Sequence, residues 1–571
     1  MRLADLRPNR CLGLVAVGLA FGVIHSALVE YVASIKSPLV DEPAHLVSGV
    51  CYLRTGSTFH YRVNPPLVRT LAAWPIFRSV ENCDCVSYPA LATLRSEFEL
   101  GRDSFNANPQ LWHSRLRSSR RVGILFSLIG LFVCSAWAYQ LWGCQASVAA
   151  ASLWCFQPMI IGWSATITPD VPAASTGVLA CFAFWYWLEK DHLIRMIAAG
   201  VTLGIALLTK TTWITLLFLW PVLTILSGVF VGDRIKIRAK QSAGLVVILT
   251  LGLVILNGAY EWNSLGRPLR DFRFQSHRLQ QVQQTVAERA SLLEMIPMPL
   301  PENYIYGLDV QIKDFEAGKA SYLCGERKEG GWWYYYAVVL LVKTPAGFLA
   351  IILLAVSMAS VRRREMLANG EFERIAVAVI LMTAMMLTFA DGMSRHGRYG
   401  LIAAPWLIVW SCRIFATPSR RRTVAWAMLG LGVASTLSQY PHQISYFNYL
   451  IGGPRYGDRW LLDSNIDWGQ DWYLVERWKS LNPEKRPLFL ATSGPTTIQH
   501  SDFDASIRLM PRETSDGSLT LPAGYYAMSV NTLHGYPRER RGREYFANQT
   551  PIDRLGNSIR IFHLTVPIKI Q

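Results

Sequence analysis

Apolar runs of about 17–25 residues, the length at which a helix crosses a bilayer, recur along the chain. They fall at about 11–33, 121–142, 144–163, 171–189, 193–209, 211–231, 243–260, 334–358, 375–390, 399–416 and 424–440. Three polar pieces interrupt or follow them: a first loop of about 34–120, a loop of about 261–332, and everything after Tyr440. The tail has a different rhythm. PLFLATSG, GYYAMSV and SIRIFHLTV are strand-length runs set between Gly, Pro and Asn turns. The pattern predicts an α-helical polytopic membrane protein with about 11 spans over 1–440, followed by a mixed α/β domain over 441–571. No internal repeat or low-complexity stretch is present.

The first loop is polar where a membrane protein has no packing reason to be. In Ser37–Trp74, Asp41 and Glu42 open a helix whose Pro43 suits a first turn. Ala44, Leu46, Val47, Val50 and Leu53 form its apolar stripe, and Gly56 is its stop. His45 lies one turn after Asp41, so the two share a face. A second helix follows Asn64-Pro65-Pro66, with Asn64 as N-cap. Two short amphipathic helices on a membrane surface are expected, with carboxylates at the entry of the first. Simple capping is the plainer explanation of Asp41 and Glu42.

Composition supports the membrane reading: 51% of residues are hydrophobic and 20 are Trp. The net charge of +16 does not point to nucleic acid, because the basic residues sit in short clusters between apolar runs. With the N-terminus inside, Arg2/Arg7/Arg10, Lys190/Arg195, Arg234/Lys236/Arg238/Lys240, Arg362/Arg363/Arg364 and Arg420/Arg421/Arg422 all fall on the inner side. The three polar pieces then lie outside. The first run lacks a small-residue cleavage site and reads as a retained span. Of the ten Cys, Cys11, Cys134, Cys144, Cys155, Cys181 and Cys412 sit in apolar runs; Cys51, Cys83, Cys85 and Cys324 fall in outer loops, where a disulfide is open.

Some charges break the rule. Arg115, Arg117, Arg120 and Arg121 precede the second span on the outer side, either snorkelling to headgroups or building an anion site. Asp170 (SATITPDVPAAS), Lys210 (GIALLTKTTWITLL), Lys343 and the turn Arg395–His396–Gly397–Arg398–Tyr399 also interrupt apolar sequence. A charge at mid-bilayer costs about 2.5–3.5 kcal/mol on insertion, so Asp170 and Lys210 belong at outer turns. Acidic Asp41, Glu42 and Asp170 and basic Arg117, Lys210 and Arg398 therefore map to one face of the membrane. Such a site suits a substrate with its tail in lipid and its phosphate at headgroup level: cations hold the phosphate and a carboxylate serves as general base. The competing class is a transporter or flippase of lipid-linked sugars, whose polar groups would more often lie near mid-bilayer.

The DE pair after the first span, NPPL further along that loop, T-x-PD, G-x-ALLTK and the late RYG-x-x-x-x-P segment together resemble the GT-C glycosyltransferases. The likeness is to the bacterial branch with protein O-mannosyltransferases and lipid A aminoarabinose transferases. ISYFNYLIGGPRYGDRWLLDSNIDWGQDW resembles a C-terminal portion of bacterial relatives of that group. The resemblance implies a GT-C fold in the bacterial inner membrane with a periplasmic tail. It implies transfer of a sugar from a polyprenyl-phosphate donor to a protein, lipid or glycan acceptor, usually with inversion. Asp41 would be the base, with Glu42 and Asp170 positioning the acceptor or binding a cation. Lys210, Arg398 and Tyr399 would hold the donor phosphate, helped by Arg117 or Arg120. A divalent cation held through oxygen by Asp41, Glu42 and Asp170 is left open. DSNIDWGQD departs from the well-known mannosyltransferases, so their acceptor does not carry over. His45 and Asn64, with Asp467, Trp468 and Gln470 of the tail, are candidates for acceptor or sugar binding; for the tail residues a polar cap on the domain is the alternative.

Overall fold

The structure is a computed structural model. It describes residues 8–570 apart from 81–82, 84, 86–94, 191, 231–234, 291, 362–369, 390–393, 417, 492–506, 514–517 and 538–539. Arg2, Arg7, Arg234 and Arg362–Arg364 of the basic clusters lie outside the described residues.

Helices dominate up to residue 438. They are α1 (Pro8–Ile35), α2 (Glu42–Thr55), α3 (Leu67–Ala73), α4 (Ser96–Ala107), α5 (Pro109–Trp142), α6 (Cys144–Cys155), α7 (Pro158–Ser164), α8 (Asp170–Glu189), α9 (Leu193–Thr209), α10 (Leu216–Phe230), α11 (Ile235–Ala259), α12 (His277–Arg289), α13 (Glu302–Glu316), α14 (Tyr335–Lys343), α15 (Ala346–Val361), α16 (Gly370–Phe389), α17 (Ala404–Ser411) and α18 (Arg420–Ser438). Among the described residues, segments of α1, α5, α8 and α11 are long and apolar enough to cross a membrane, and two bent pairs raise the number to six. The chain is a multi-pass membrane protein.

Several expected spans are interrupted, two of them at a proline. The 144–163 run bends by 57° between α6 and α7, where Pro158 starts a new helix, and the 334–358 run bends by 117° between α14 and α15, at Thr344-Pro345. The 399–416 run is a 3₁₀ turn (Gly397–Ala403), the short α17 and a second 3₁₀ turn (Cys412–Phe415). A 3₁₀ turn (Thr211–Thr215) also precedes α10. Such breaks are tolerated in a bilayer where neighbouring protein satisfies the freed backbone.

The core forms around α5, α6 and α8. Trp137, Trp154, Trp187, Trp213, Trp220 and Trp406 are fully buried in it. Close approach needs missing side chains. A Cβ on Gly177 of α8 would lie 1.8 Å from the Trp213 ring, and one on Gly123 of α5 would lie 1.9 Å from the Ser164 carbonyl oxygen. The Trp213 indole donates to the Ala173 carbonyl at 2.9 Å, fixing the turn after α9 against α8.

The tail is the mixed α/β unit that its sequence suggests. β1 (Leu488–Ala491), β2 (Ile507–Leu509), β3 (Gly524–Ser529), β4 (Asp553–Leu555) and β5 (Ile559–Leu564) form one sheet in the order β2-β1-β3-β5-β4. β1 runs parallel to β2 and β3; β5 is antiparallel to β3 and β4. Phe489, Tyr526, Phe546 and Phe562 pack together in one tail core. Alternate residues Leu488, Leu490, Ala527, Ile559 and Ile561 join Trp472, Val475 and Trp478 of α19 (Trp472–Leu481) in a second. This unit is strapped to the membrane part. Ser37 N donates to Gln470 O and Val40 N to Trp468 O, both at 3.1 Å. Lys36 Nζ donates to Asp471 Oδ1 at 2.6 Å, and Ser558 Oγ to Asp471 Oδ2 at 2.7 Å.

The first outer loop differs from expectation in two respects. α2 is buried from Glu42 through Cys51 on every face, so it is a core element and not a surface amphipath. The N-cap of α3 is Pro66, not Asn64. Gly56 does stop α2, at φ +69, with its N–H on the Tyr52 carbonyl. Cys51, on α2, forms a disulfide with Cys85.

Candidate active site

Turns at five distant places in the chain converge on one cavity of about 250 Å³. Asp41 stands at the N-cap of α2 with φ −84 and ψ −22 and makes no capping bond. Its carboxylate is thereby available to the cavity, against the plainer capping explanation. Asp170 is the first residue of α8, where the helix dipole favours an anion. Lys210 ends α9 in an extended conformation, and Arg398 and Tyr399 sit on the 3₁₀ turn that replaces the start of a span.

These side chains form a chain of opposite charges. Lys210 Nζ donates to Asp170 Oδ1 at 2.7 Å and lies 4.7 Å over the Tyr399 ring. Arg398 Nη2 donates to Asp41 Oδ2 at 2.6 Å, and its Nε is 3.4 Å from Asp170 Oδ2. The guanidinium stacks on aromatic rings, its carbon 4.6 Å from the Trp163 centroid and 5.5 Å from that of Trp468. Arg398 Nη1 is buried and has no hydrogen-bond partner among the described residues. A buried, unsatisfied, charged donor carries a desolvation penalty that an incoming anion would relieve. Burial works against the ionised Asp41, but the charge and hydrogen bond of Arg398 outweigh it and hold the carboxyl below its ordinary range.

His45 and Asn64 also line the cavity. The His45 ring Nε2 is 3.2 Å from the Tyr61 hydroxyl, which accepts from Asn64 Nδ2 at 3.2 Å. Burial pushes His45 down to about 4, so it is neutral at physiological pH. Trp468 completes the wall, its indole N–H donating to Asp41 Oδ2 at 3.1 Å.

Five of the sequence candidates are placed elsewhere. Glu42 is fully buried: its Oε1 accepts from Arg120 Nε at 2.8 Å and Ile167 N at 2.9 Å, and its Oε2 from Arg120 Nη2 at 2.6 Å and Leu39 N at 2.8 Å. Arg120 spends its other donors on the carbonyls of Ala33, Lys36 and Ser37, closing the C-terminus of α1. Arg117 is exposed and pairs with Glu30 at 2.8 Å, alongside Arg121. Asp467 turns into the tail, accepting from Ser529 Oγ and, at 3.0 Å, from Gly469 N; burial pushes its carboxyl up to about 6. Gln470 accepts from Trp468 N at 2.7 Å and donates to Ile466 O at 2.8 Å. Asp467 and Gln470 thus build the turn that presents Trp468. With Glu42 locked away, Asp41 and Asp170 are the remaining carboxylates of the candidate cation set, and both are engaged by Arg398 or Lys210.

Sequence reasoning missed Trp163, which lies in an unremarkable apolar run. It also missed Arg95, Asp314 and Lys319, which line the cavity from the two long outer loops. The turn Arg395–Gly397 is held by the tail. Arg395 Nε donates to Asp463 Oδ2 at 2.9 Å, and Gly397 N to Asn465 Oδ1 at 2.9 Å.

Residues 109–257 match the sequence profile of the family described as dolichyl-phosphate-mannose-protein mannosyltransferase. The matched range holds Asp170 and Lys210; Asp41 and Arg398 lie outside it. No curated protein matches the chain. Among solved structures, the Archaeoglobus fulgidus oligosaccharyltransferase AglB, in complex with an inhibitory peptide and a dolichol-phosphate, is similar at 13% identity and TM-score 0.41. That likeness covers 73% of this chain, which spans 56% of the length of that protein. ArnT from Cupriavidus metallidurans bound to undecaprenyl phosphate is similar at 12% identity and TM-score 0.30, covering 97% of this chain and 98% of that one. Across 109–257, from α5 into α11, the chain carries the pattern of the family described as dolichyl-phosphate-mannose-protein mannosyltransferase.

Proposed function

We propose that the protein is an integral-membrane glycosyltransferase that moves a sugar from a polyprenyl-phosphate donor to an acceptor hydroxyl or amine on the extracytoplasmic side, in a bacterial inner membrane. The observation that carries this reading is the Arg398 guanidinium. It is buried, stacked between Trp163 and Trp468, and holds an unpaired Nη1 beside two carboxylates. A phosphate would take up that donor and draw Arg398 and Lys210 from their carboxylate partners.

The chemistry balances. The acceptor oxygen or nitrogen bonds to the anomeric carbon as the bond from that carbon to the phosphate oxygen breaks. The acceptor proton passes to Asp41, and the charge released on the polyprenyl phosphate is held by Arg398 and Lys210. Attack opposite the leaving phosphate inverts the anomeric centre. Behind the same 3₁₀ turn, Gly397, Gly400 and Leu401 border a second cavity of about 280 Å³ with apolar neighbours such as Leu340, Phe348 and Ile380. A prenyl chain fits that lining, with its phosphate on the Arg398 side of the turn.

The test uses the full chain in proteoliposomes supplied with labelled polyprenyl-phosphate sugars, mannose first. The wild-type chain is expected to release label from at least one donor, and Asp41→Asn to abolish release while expression and thermal stability stay normal. Full activity of Asp41→Asn would remove the base. Movement of intact lipid-linked sugar across the bilayer without cleavage would favour a flippase.

A further inference from the structure

We propose that Trp468, from the tail, is a positioning residue that fixes the Asp41 carboxylate for proton transfer; this rests on the reading of Asp41 as the base. The turn that bears Trp468 is built for placement. Its carbonyl accepts from Val40 N, next to Asp41, at 3.1 Å, and its own N–H is held by Gln470 Oε1 at 2.7 Å. Ser37 Oγ donates to Gly469 O at 2.6 Å and accepts from Trp472 N at 2.9 Å. Gly469 takes φ +93, and a Cβ there would lie 3.3 Å from the Pro38 carbonyl oxygen, so the turn and the segment before Asp41 are in close contact. The indole and the His396 ring meet at 71° with centroids 5.3 Å apart, which limits rotation of the indole on that side.

The consequence is an unequal treatment of the two carboxylate oxygens. Oδ2 accepts from both Arg398 and Trp468, whereas Oδ1 makes no hydrogen bond among the described residues. Oδ1 is therefore the atom left to take a proton. Arg398 is the more mobile of the two donors in function, because a phosphate competes for it. Trp468 is tied by its backbone to residues 37–40 and cannot follow the phosphate, so it keeps Oδ1 turned to the acceptor when Arg398 is drawn off. A neutral donor does this without adding a charge that would hold the carboxylate too weakly basic.

Trp468→Phe keeps the ring and removes the N–H. In proteoliposomes with the donor that the wild-type chain cleaves, the acidic limb of the pH–rate profile is expected to move up by about 0.5–1 pH unit. The KM for donor should stay within about twofold. Trp468→His, which keeps a ring N–H, is expected to restore most of the limb, a rescue that a purely structural role would not produce. An unmoved limb in Trp468→Phe, or a raised donor KM with an unmoved limb, would overturn the proposal, the latter assigning Trp468 to donor binding. If Asp41→Asn proves fully active, or no donor is cleaved, the underlying reading of the site fails instead, whatever Trp468→Phe does.

Discussion

Replacing Glu42 by Gln tests whether the second acid of the DE pair belongs to structure or to chemistry. Four donors converge on its two oxygens: Arg120 Nε and Ile167 N on one, Arg120 Nη2 and Leu39 N on the other. An amide offers one acceptor oxygen and one NH₂, so either rotamer sets two donors against its nitrogen. The substitution also removes the charge from a pair in which both side chains are at most 1% exposed. Breaking a buried ion pair from one side costs about 3–5 kcal/mol. For a chain of this size, at an unfolding entropy of about 2.1 cal/mol/K per residue, that corresponds to a fall in melting midpoint of about 2–4 °C, measurable by thermal unfolding in detergent or nanodiscs. Because Glu42 lies outside the cavity, the protein that remains folded is expected to keep donor KM and the pH limb unchanged. Pairing Glu42→Leu with Arg120→Met removes both charges together but leaves Leu39 N, Ile167 N and the carbonyls of Ala33, Lys36 and Ser37 without these side-chain partners, so it should recover little of the lost midpoint. A Glu42→Gln protein with wild-type stability but no turnover would refute this reasoning and return Glu42 to the mechanism.

Two further outcomes can be checked. Arg398→Lys keeps the charge but loses the planar fork that reaches Asp41 and stacks on Trp163; we expect a fall in kcat/KM for donor of about 10–100-fold, and unchanged kinetics would dismiss Arg398 as the phosphate ligand. Asp471 is held down at about 2 by Lys36 and His442 against the cost of its burial. Because its folded pKa is depressed below the unfolded value of about 3.9, the stabilisation, about 2–3 kcal/mol, is present above pH 4 and is lost as pH falls toward 2. Tail release, followed by protease cleavage, should rise over that window, and Lys36→Met should flatten the dependence.

The location of the site was legible because charge in an apolar sequence has so few explanations. Asp41, Asp170, Lys210 and Arg398 each interrupt an apolar context, and the structure brings all four to one cavity. What pattern could not supply was direction. Asp41 and Glu42 are adjacent and chemically alike, yet successive residues at a helix start point about 100° apart, so one faces the cavity and the other Arg120. Arg117 and Arg120 differ by less than one turn in the same way, one to solvent and one to the core. The role of the tail was half legible. DSNIDWGQD announced itself as unusual, but Asp467 and Gln470 satisfy the turn, Asp463 and Asp471 pair with Arg395 and Lys36, and only the indole reaches the cavity. Helix continuity was overread at 144–163, 334–358 and 399–416, where hydropathy persists through prolines that break the backbone ladder.

Asp41 and the indole that steadies it are 427 residues apart in sequence. A ribosome adding about 5–20 residues per second needs about 20–90 s to make that stretch. For that time the nascent chain carries Asp41 with one wall of its pocket unmade. Competence of the pocket is therefore tied to completion of the polypeptide at least as far as the turn at 468–472, and a protein truncated before it would insert without acquiring a finished centre.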